Sequence, residues 1–369
     1  MSLPLYGKCL KHGKYFLINM IGKGSIADVW FSYNVPSKKF VAIKLSYNQD
    51  QETADREVEI HKKLEGSPVC IMKDYFQDTL EDGSIIVCQV LPLYAGTLTD
   101  LWHHTPFTQT TLKNIYKQIK NQLKILHKKY GLIHGDLKTD NIAFHGPHPR
   151  VNHIVEKWNQ LGGLDAFLSS SGDNIEEAAQ SIVQSVLEES DKNIADFDDE
   201  DDFSIVESEL DTEDESDYDD ETDEEDTDDD DQSSSNSSYD GDDDDTRGGS
   251  YATDSEESDD DHKRSRTLYA HIDNDTLENL KVDIIDFSHT HTPSEDLEYL
   301  PTRGYRCSKT IRGEKVGFYK DIFALACTMA ELEHGRTIFD PDGRTREEMD
   351  VENLDLLKKH SHLLRKWLP

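Results

Sequence analysis

An α+β fold, with strands gathered near the N-terminus and helices after them, is what the sequence predicts. Three observations lead there. Tyr15 to Lys44 reads as three short β-branched and aromatic runs separated by turns. Leu112 to Leu126 and Asp321 to Leu332 read as buried helices, the first with apolar residues at Leu112, Ile115, Ile119, Leu123 and Leu126. The charge is also confined. The net charge is −37, and Asp191 to Asp261 holds 36 acids against Lys192 and Arg247, so 34 of the 37 excess negative charges lie in that stretch. The remainder is a near-neutral chain long enough for one large domain or two ordinary ones.

The first strand, Tyr15 to Ile21, ends at Gly22. The second is Val29 to Tyr33 and the third Lys39 to Leu45. Between the first two lies Ile21-Gly22-Lys23-Gly24-Ser25-Ile26-Ala27-Asp28-Val29, where glycines let backbone N–H groups approach phosphate oxygens. Ala54 to Leu64 has helical periodicity and carries Glu57, with Glu59 and Glu52 as alternatives for an acid facing inward. Ser84 to Leu93 reads as a buried strand leading to a hinge, with Cys88 at the back of a pocket and the Gln89–Leu91 backbone facing it. Cys9, Cys70, Cys88, Cys307 and Cys327 are scattered without metal or redox spacing, which suits reduced thiols. There is no signal-peptide core and no run approaching 18 apolar residues, so the reading is an intracellular protein, cytoplasmic or nuclear, without a membrane span.

From Asp191 to Asp261 the chain is Asp, Glu, Ser and Thr with few apolar residues, so it cannot bury enough apolar surface to offset its ordering entropy and is expected to be disordered. Ser216, Thr222 and Thr227 are each followed by acids and could accept phosphate. Lys263-Arg264-Ser265-Arg266 closes the stretch. Val151 to Leu187 has spacing suited to one or two short helices. His289 and His291, two apart on a loop, suit exposure better than metal ligation.

The chemistry concentrates in Ile133-His134-Gly135-Asp136-Leu137-Lys138-Thr139-Asp140-Asn141. A carboxylate, a cation and an amide at these offsets are what phosphoryl transfer needs: a group to orient a hydroxyl and take its proton, a positive charge for the moving group, and a metal ligand. This loop resembles the catalytic loop of protein kinases, with Gly135 in place of the usual arginine. Val41-Ala42-Ile43-Lys44 resembles their phosphate-gripping strand, and Ile21–Val29 their glycine-rich loop with Ala27 for the third glycine. Asp286-Phe287-Ser288 resembles the Asp-Phe-Gly turn. It lies 150 residues beyond Asp136, where most kinases use a hairpin, so roughly 130 residues are inserted.

More specifically, the chain resembles the SR-protein kinases. The resemblance rests on Tyr15 to Trp30, on the position of the insert, on Thr302-Arg303-Gly304-Tyr305-Arg306, and on Asp321 to Leu332 with Gly335, Phe339, Pro341 and Gly343 beyond it. It implies a bilobal kinase fold. Residues 1–91 would form the small lobe and 92–150 the first part of the large lobe. Residues 151–280 would be a spacer, acidic and disordered over 191–261, and 281–369 the activation segment and a C-terminally short remainder of the large lobe.

The same resemblance makes Asp136 the catalytic base and Lys138 the γ-phosphate contact. Asn141 and Asp286 would hold Mg²⁺, Lys44 would grip ATP phosphates with Glu57 orienting it, and Asp321 would anchor the catalytic loop. Gly135 leaves no arginine to read a phosphorylated activation segment, so activity without that phosphorylation is expected. Lys309 stands where an Ala-Pro-Glu motif would supply a glutamate, so that ion pair is expected to be absent. The implied partner is a protein substrate, basic or Arg–Ser-rich proteins being the class to expect, with a monomer as the expected state and no direct nucleic-acid contact because the acidic stretch would repel phosphates. The alternatives are a catalytically weak kinase-fold scaffold or decoy acting through its acidic insert, and, less favoured, a small-molecule phosphotransferase.

Overall fold

The computed structural model describes residues 5, 8–24, 27–47, 51–80, 82–102, 107–146, 160, 274–296, 300–342 and 345–368. The expectations for Val151–Leu187 (apart from Gln160), Asp191–Asp261, Ser216, Thr222, Thr227 and Lys263–Arg266 fall outside these residues, as do Ser25 and Ile26.

The three N-terminal runs form strands β2 (Tyr15–Lys23), β3 (Ala27–Asn34) and β4 (Lys39–Tyr47), preceded by β1 (Cys9–Leu10). With β5 (Asp74–Thr79) and β6 (Ile85–Leu91) they make an antiparallel sheet in the order β1-β2-β3-β4-β6-β5. Alternate side chains of these strands point to one face and close a core of Leu17, Trp30, Ile43, Leu45, Phe76, Ile86 and Cys88. Helix α1 (Gln51–Lys63) packs against β6 and β4 and buries Ala54, Glu57, Val58 and His61. Glu57 is therefore the inward-facing acid, whereas Glu59 is exposed and pairs with Lys62.

One expectation is corrected by register. Cys88 lies opposite Leu45 in the β4–β6 ladder and Gln89 opposite Lys44. Because side chains alternate, Cys88 points into the small-lobe core and Gln89 shares the face of Lys44. Cys88 is core rather than the back wall of a pocket.

After β7 (Gly96–Thr97) and α2 (Leu98–Trp102), α3 (Gln109–Ile125) is buried along Leu112, Ile115, Ile119 and Leu123. Thr108 caps it, its hydroxyl accepting from Thr111 N at 3.1 Å. A π-turn, Leu126–Tyr130, follows and stops at Gly131, whose φ of 65° a β-carbon would resist. Strand β8 (Ile142–Phe144) then pairs with both β7 and β9 (Val282–Ile284), with Ile142 opposite Ile284 and Phe144 opposite Val282. Helix α4 (Asn274–Glu278) contacts α3, and Leu277 and Leu280 belong to the large core, although both fall within the range assigned to the spacer. After α5 (Ser308–Ile311), α6 (Tyr319–His334) runs through the middle of that core, and α7 (Arg346–His360) follows it. Among the described residues no helix is long and apolar enough to cross a membrane.

Candidate active site

Lys44 is held between two acids from distant parts of the chain. Its Nζ lies 2.8 Å from Glu57 Oε2 and 3.0 Å from Asp286 Oδ1. Burial disfavours the ammonium, but the Asp286 and Glu57 charges outweigh it and hold Lys44 above the usual lysine range. Burial likewise works against the Asp286 carboxylate, and Lys44 more than reverses that, keeping Asp286 below the usual carboxylate range. Glu57 is saturated: Oε2 also accepts from Gln89 Nε2 at 2.9 Å, and Oε1 accepts from Phe287 N at 3.0 Å. Burying an acid is costly unless donors face it, and Lys44, Gln89 and Phe287 N all do so here.

Asp286 itself sits at φ 60°, the left-handed region that a non-glycine residue enters at a cost, here offset by its bond to Lys44 and a longer one from Ser288 N. Phe287 packs edge-on against His61 and His134, with ring centres 4.9 and 5.5 Å away. These three rings stack from α1 to the catalytic loop. His61 is buried in that stack, and desolvation pushes its pKa down to about 4, so it is neutral at pH 7.

The loop Ile133–Asn141, the candidate catalytic loop, hangs from α6. Asp321 accepts from His134 N at 2.7 Å, Gly135 N at 2.9 Å and His127 Nε2 at 2.8 Å. The anchoring role inferred for Asp321 matches these bonds. His134 in turn donates from Nε2 to the Ile285 carbonyl oxygen at 3.0 Å. The candidate base, Asp136, is gripped from two sides. Oδ1 accepts from Thr302 N at 2.9 Å and Thr302 Oγ1 at 2.7 Å, and Oδ2 accepts from Asn141 Nδ2 at 3.1 Å. Lys138 Nζ lies 3.7 Å from Asp136 Oδ2 and donates to Thr302 Oγ1 at 3.2 Å.

Asn141 also donates from Nδ2 to the Asp136 carbonyl oxygen at 2.7 Å, and its own carbonyl accepts from Ile285 N at 3.0 Å. With its NH₂ committed, the amide oxygen is the atom Asn141 has for a cation. One amide oxygen and one carboxylate, from Asn141 and Asp286, form the sparse hard-oxygen set that Mg²⁺ accepts when substrate phosphates and water complete its shell. Among the described residues no group of three His, Cys, Asp or Glu is arranged to hold a metal by itself.

The glycine turn joins β2 to β3. Gly24 N donates to Ala27 O at 2.9 Å, and a β-carbon on Gly24 would come within 3.0 Å of that oxygen. Gly22 and Lys23 pair with Val29 and Asp28, continuing from Ile21 in the same strand. The Asp28 carboxylate turns away into a bond from Tyr47 Oη at 3.0 Å, so its side chain serves the sheet. Sequence reasoning missed three contacts: Gln89 on Glu57, Thr302 on Asp136 and His127 on Asp321. Each depends on register or on chain segments 32 to 194 residues apart.

Comparison with known proteins agrees with this geometry. A family model of the protein kinase domain matches residues 15–152. A serine/threonine-protein kinase of Acanthamoeba polyphaga mimivirus is 27% identical over 394 residues, covering 94% of this chain and 72% of the relative. Serine/threonine-protein kinase tousled-like 2 of Xenopus tropicalis is 31% identical over 142 residues, 35% of this chain and 20% of that protein. SRSF protein kinase 3 of Mus musculus is 25% identical over 169 residues, 42% of this chain and 30% of that protein. The chain thus spans under a third of the two cellular relatives' length. The chain is thus similar over residues 15–152 to the protein kinase domain and over most of its length to a viral serine/threonine-protein kinase, and the Lys44–Glu57–Asp286 cluster and the Ile133–Asn141 loop tied to Asp321 are the geometry that stands beside that similarity.

Proposed function

We propose that the chain transfers the γ-phosphoryl group of ATP to serine or threonine hydroxyls of proteins. The observation that carries this reading is the state of Asp136: a carboxylate with both oxygens fixed by Thr302 and Asn141, and Lys138 Nζ 3.7 Å away. A base pre-oriented by neighbours needs little rearrangement to align a hydroxyl and receive its proton. Lys138, near both Asp136 and Thr302, supplies positive charge where the transferred group would pass. Lys44, fixed by Glu57, would meet the α- and β-phosphates, and the Gly22–Gly24 turn would cover them. Asn141 and Asp286 would hold Mg²⁺, which would supply positive charge against the phosphates.

The ion pair missing at Lys309 would favour the scaffold alternative, and the structure offers a compensating contact. Lys309 is exposed, while buried Arg306 donates from Nε to Pro301 O at 2.7 Å and lies 3.8 Å from Asp350 on α7. The substrate segment therefore has a tie to the following helix without the missing glutamate. For substrates, we carry forward basic or Arg–Ser-rich proteins as the class to test first, on the resemblance of Thr302–Arg306 and of the whole chain to SR-protein kinases.

The test is transfer of label from ATP with Mg²⁺ to an Arg–Ser peptide, a basic protein and casein, with Asp136→Asn beside the wild type. Transfer by the wild type, falling at least about 10²-fold in Asp136→Asn with nucleotide binding retained, is the expected result. Equal signals from the two, with ATP still bound, would favour the scaffold. Phosphatase-treated wild type, verified by mass as unmodified, is expected to keep its rate.

A further inference from the structure

Two adjacent acids in the activation segment, Glu295 and Asp296, are tied in opposite directions. Glu295 Oε1 accepts from Arg56 Nη2 of α1 at 3.3 Å, and the same nitrogen donates to the Thr290 carbonyl oxygen at 3.1 Å. The other Glu295 oxygen accepts from Thr292 N at 2.8 Å and Thr292 Oγ1 at 2.7 Å, fixing the carboxylate in a capping box. Asp296 is buried. Its Oδ1 lies 2.8 Å from Lys320 Nζ of α6, and its Oδ2 accepts from Val316 N and Gly317 N at 2.7 and 3.0 Å. Lys320 also donates to the Asp296 carbonyl oxygen at 2.6 Å.

Each cation stands one residue before an acid of the site. Arg56 precedes Glu57, which orients Lys44. Lys320 precedes Asp321, which carries the catalytic loop. Between the two ties the segment presses on the loop itself. His291 and Ile133 exchange backbone bonds of 3.0 and 2.8 Å, and a β-carbon on Gly135 would meet His289 O at 2.5 Å and the His291 ring at 2.9 Å. His291 Nδ1 donates to His289 O at 2.7 Å, and its Nε2 is 3.6 Å from Asp296 Oδ1.

We infer that Glu295 and Asp296 are positioning residues for the transfer, Glu295 setting α1 through Arg56 and Asp296 setting the catalytic loop through Lys320. Two fixed carboxylates then do the work of joining both lobes to the activation segment. The inference rests on the kinase reading above and assigns it two residues outside the site proper. It divides the labour: loss of Glu295 is felt at Lys44, and loss of Asp296 at Asp136.

The experiment compares Glu295→Gln, Arg56→Met, their double variant and Asp296→Asn in the full chain, by steady-state kinetics and by amide hydrogen exchange. Glu295→Gln and Arg56→Met are each expected to raise KM for ATP about 5- to 10-fold, the double variant no more than either alone. Asp296→Asn is expected to lower kcat about 10-fold with KM for ATP unchanged. A purely structural role would reduce the amount of folded protein and leave this split absent. Wild-type kinetic constants per folded molecule in all four variants would overturn the inference. Exchange separates this from failure of the kinase reading. If the wild type transfers no phosphate, faster exchange at Phe287 N in Glu295→Gln and at Ile133 N and His291 N in Asp296→Asn still supports the ties, while unchanged exchange overturns them.

Discussion

At Gly135 the backbone has a φ of 87° and the position has no room for a side chain. The left-handed conformation alone costs a non-glycine residue about 1–3 kcal/mol, and the clash with His289 O adds to it. Gly135→Ala is therefore expected to lower the thermal midpoint and to reduce transfer, both measurable on one preparation. Restoring the arginine of most protein kinases should be worse. Glu331 shows a second residue-scale effect. It is buried on α6, accepts from Tyr305 Oη at 2.6 Å, and burial pushes its pKa up to about 7. The folded chain then holds a proton that the unfolded chain releases near the ordinary value of 4.5, so stability falls as pH rises between them. His61 works the other way: its folded value of about 4 lies below the ordinary 6.5, so its contribution grows as pH rises across that window. Only the difference between wild type and Glu331→Gln isolates the first effect. The wild type is expected to lose stability relative to Glu331→Gln from pH 5 to 8, by on the order of 1–3 kcal/mol.

Among the elements, α1 links small-lobe packing to Lys44. Ala54 and Val58 bury its apolar side, and the same face delivers Glu57 to Lys44. Glu57→Gln keeps the shape and removes the charge, leaving Lys44 with Asp286 alone. We expect a 10- to 100-fold loss in kcat/KM for ATP, read by steady-state kinetics, and a larger loss for Lys44→Met. Much of this element was legible beforehand. Helical period picked out Glu57 over Glu59 only as a preference, because a one-residue error in phase rotates the face by about 100°. Strands were easier to find than to orient. Ser84–Leu93 contains β6, yet its parity was misread at Cys88, since a continuous apolar run carries no alternation to mark which side faces the site. Thr302 stands out in the sequence only as part of the Thr302–Arg306 resemblance, and its two bonds to Asp136 follow from a fold-back that local pattern does not encode.

For the molecule as a whole, the order of motifs carried more information than any one of them. Gly22, Lys44, Asp136, Asn141, Asp286 and Asp321 are spread over 300 residues, and the last five enter one bonded cluster around Lys44 and the catalytic loop. What holds that cluster together across the intervening chain is the β8–β9 ladder, which sets Phe144 beside Val282 with 137 residues between them. In polymer terms, β8 and β9 are the stem of one very wide loop. Closing it rather than a ten-residue turn costs only about 2 kcal/mol, because the penalty grows with the logarithm of length. Replacing residues 151–273 with a short Gly/Ser linker should therefore preserve the fold and raise the midpoint of unfolding, provided the removed stretch makes no compensating contacts. Lengthening has the opposite and equally mild effect: doubling the loop would cost roughly 0.6 kcal/mol. The ladder is thus the point at which a change in the length of chain between Phe144 and Val282 is expected to leave Lys44, Asp136, Asn141 and Asp286 where they are.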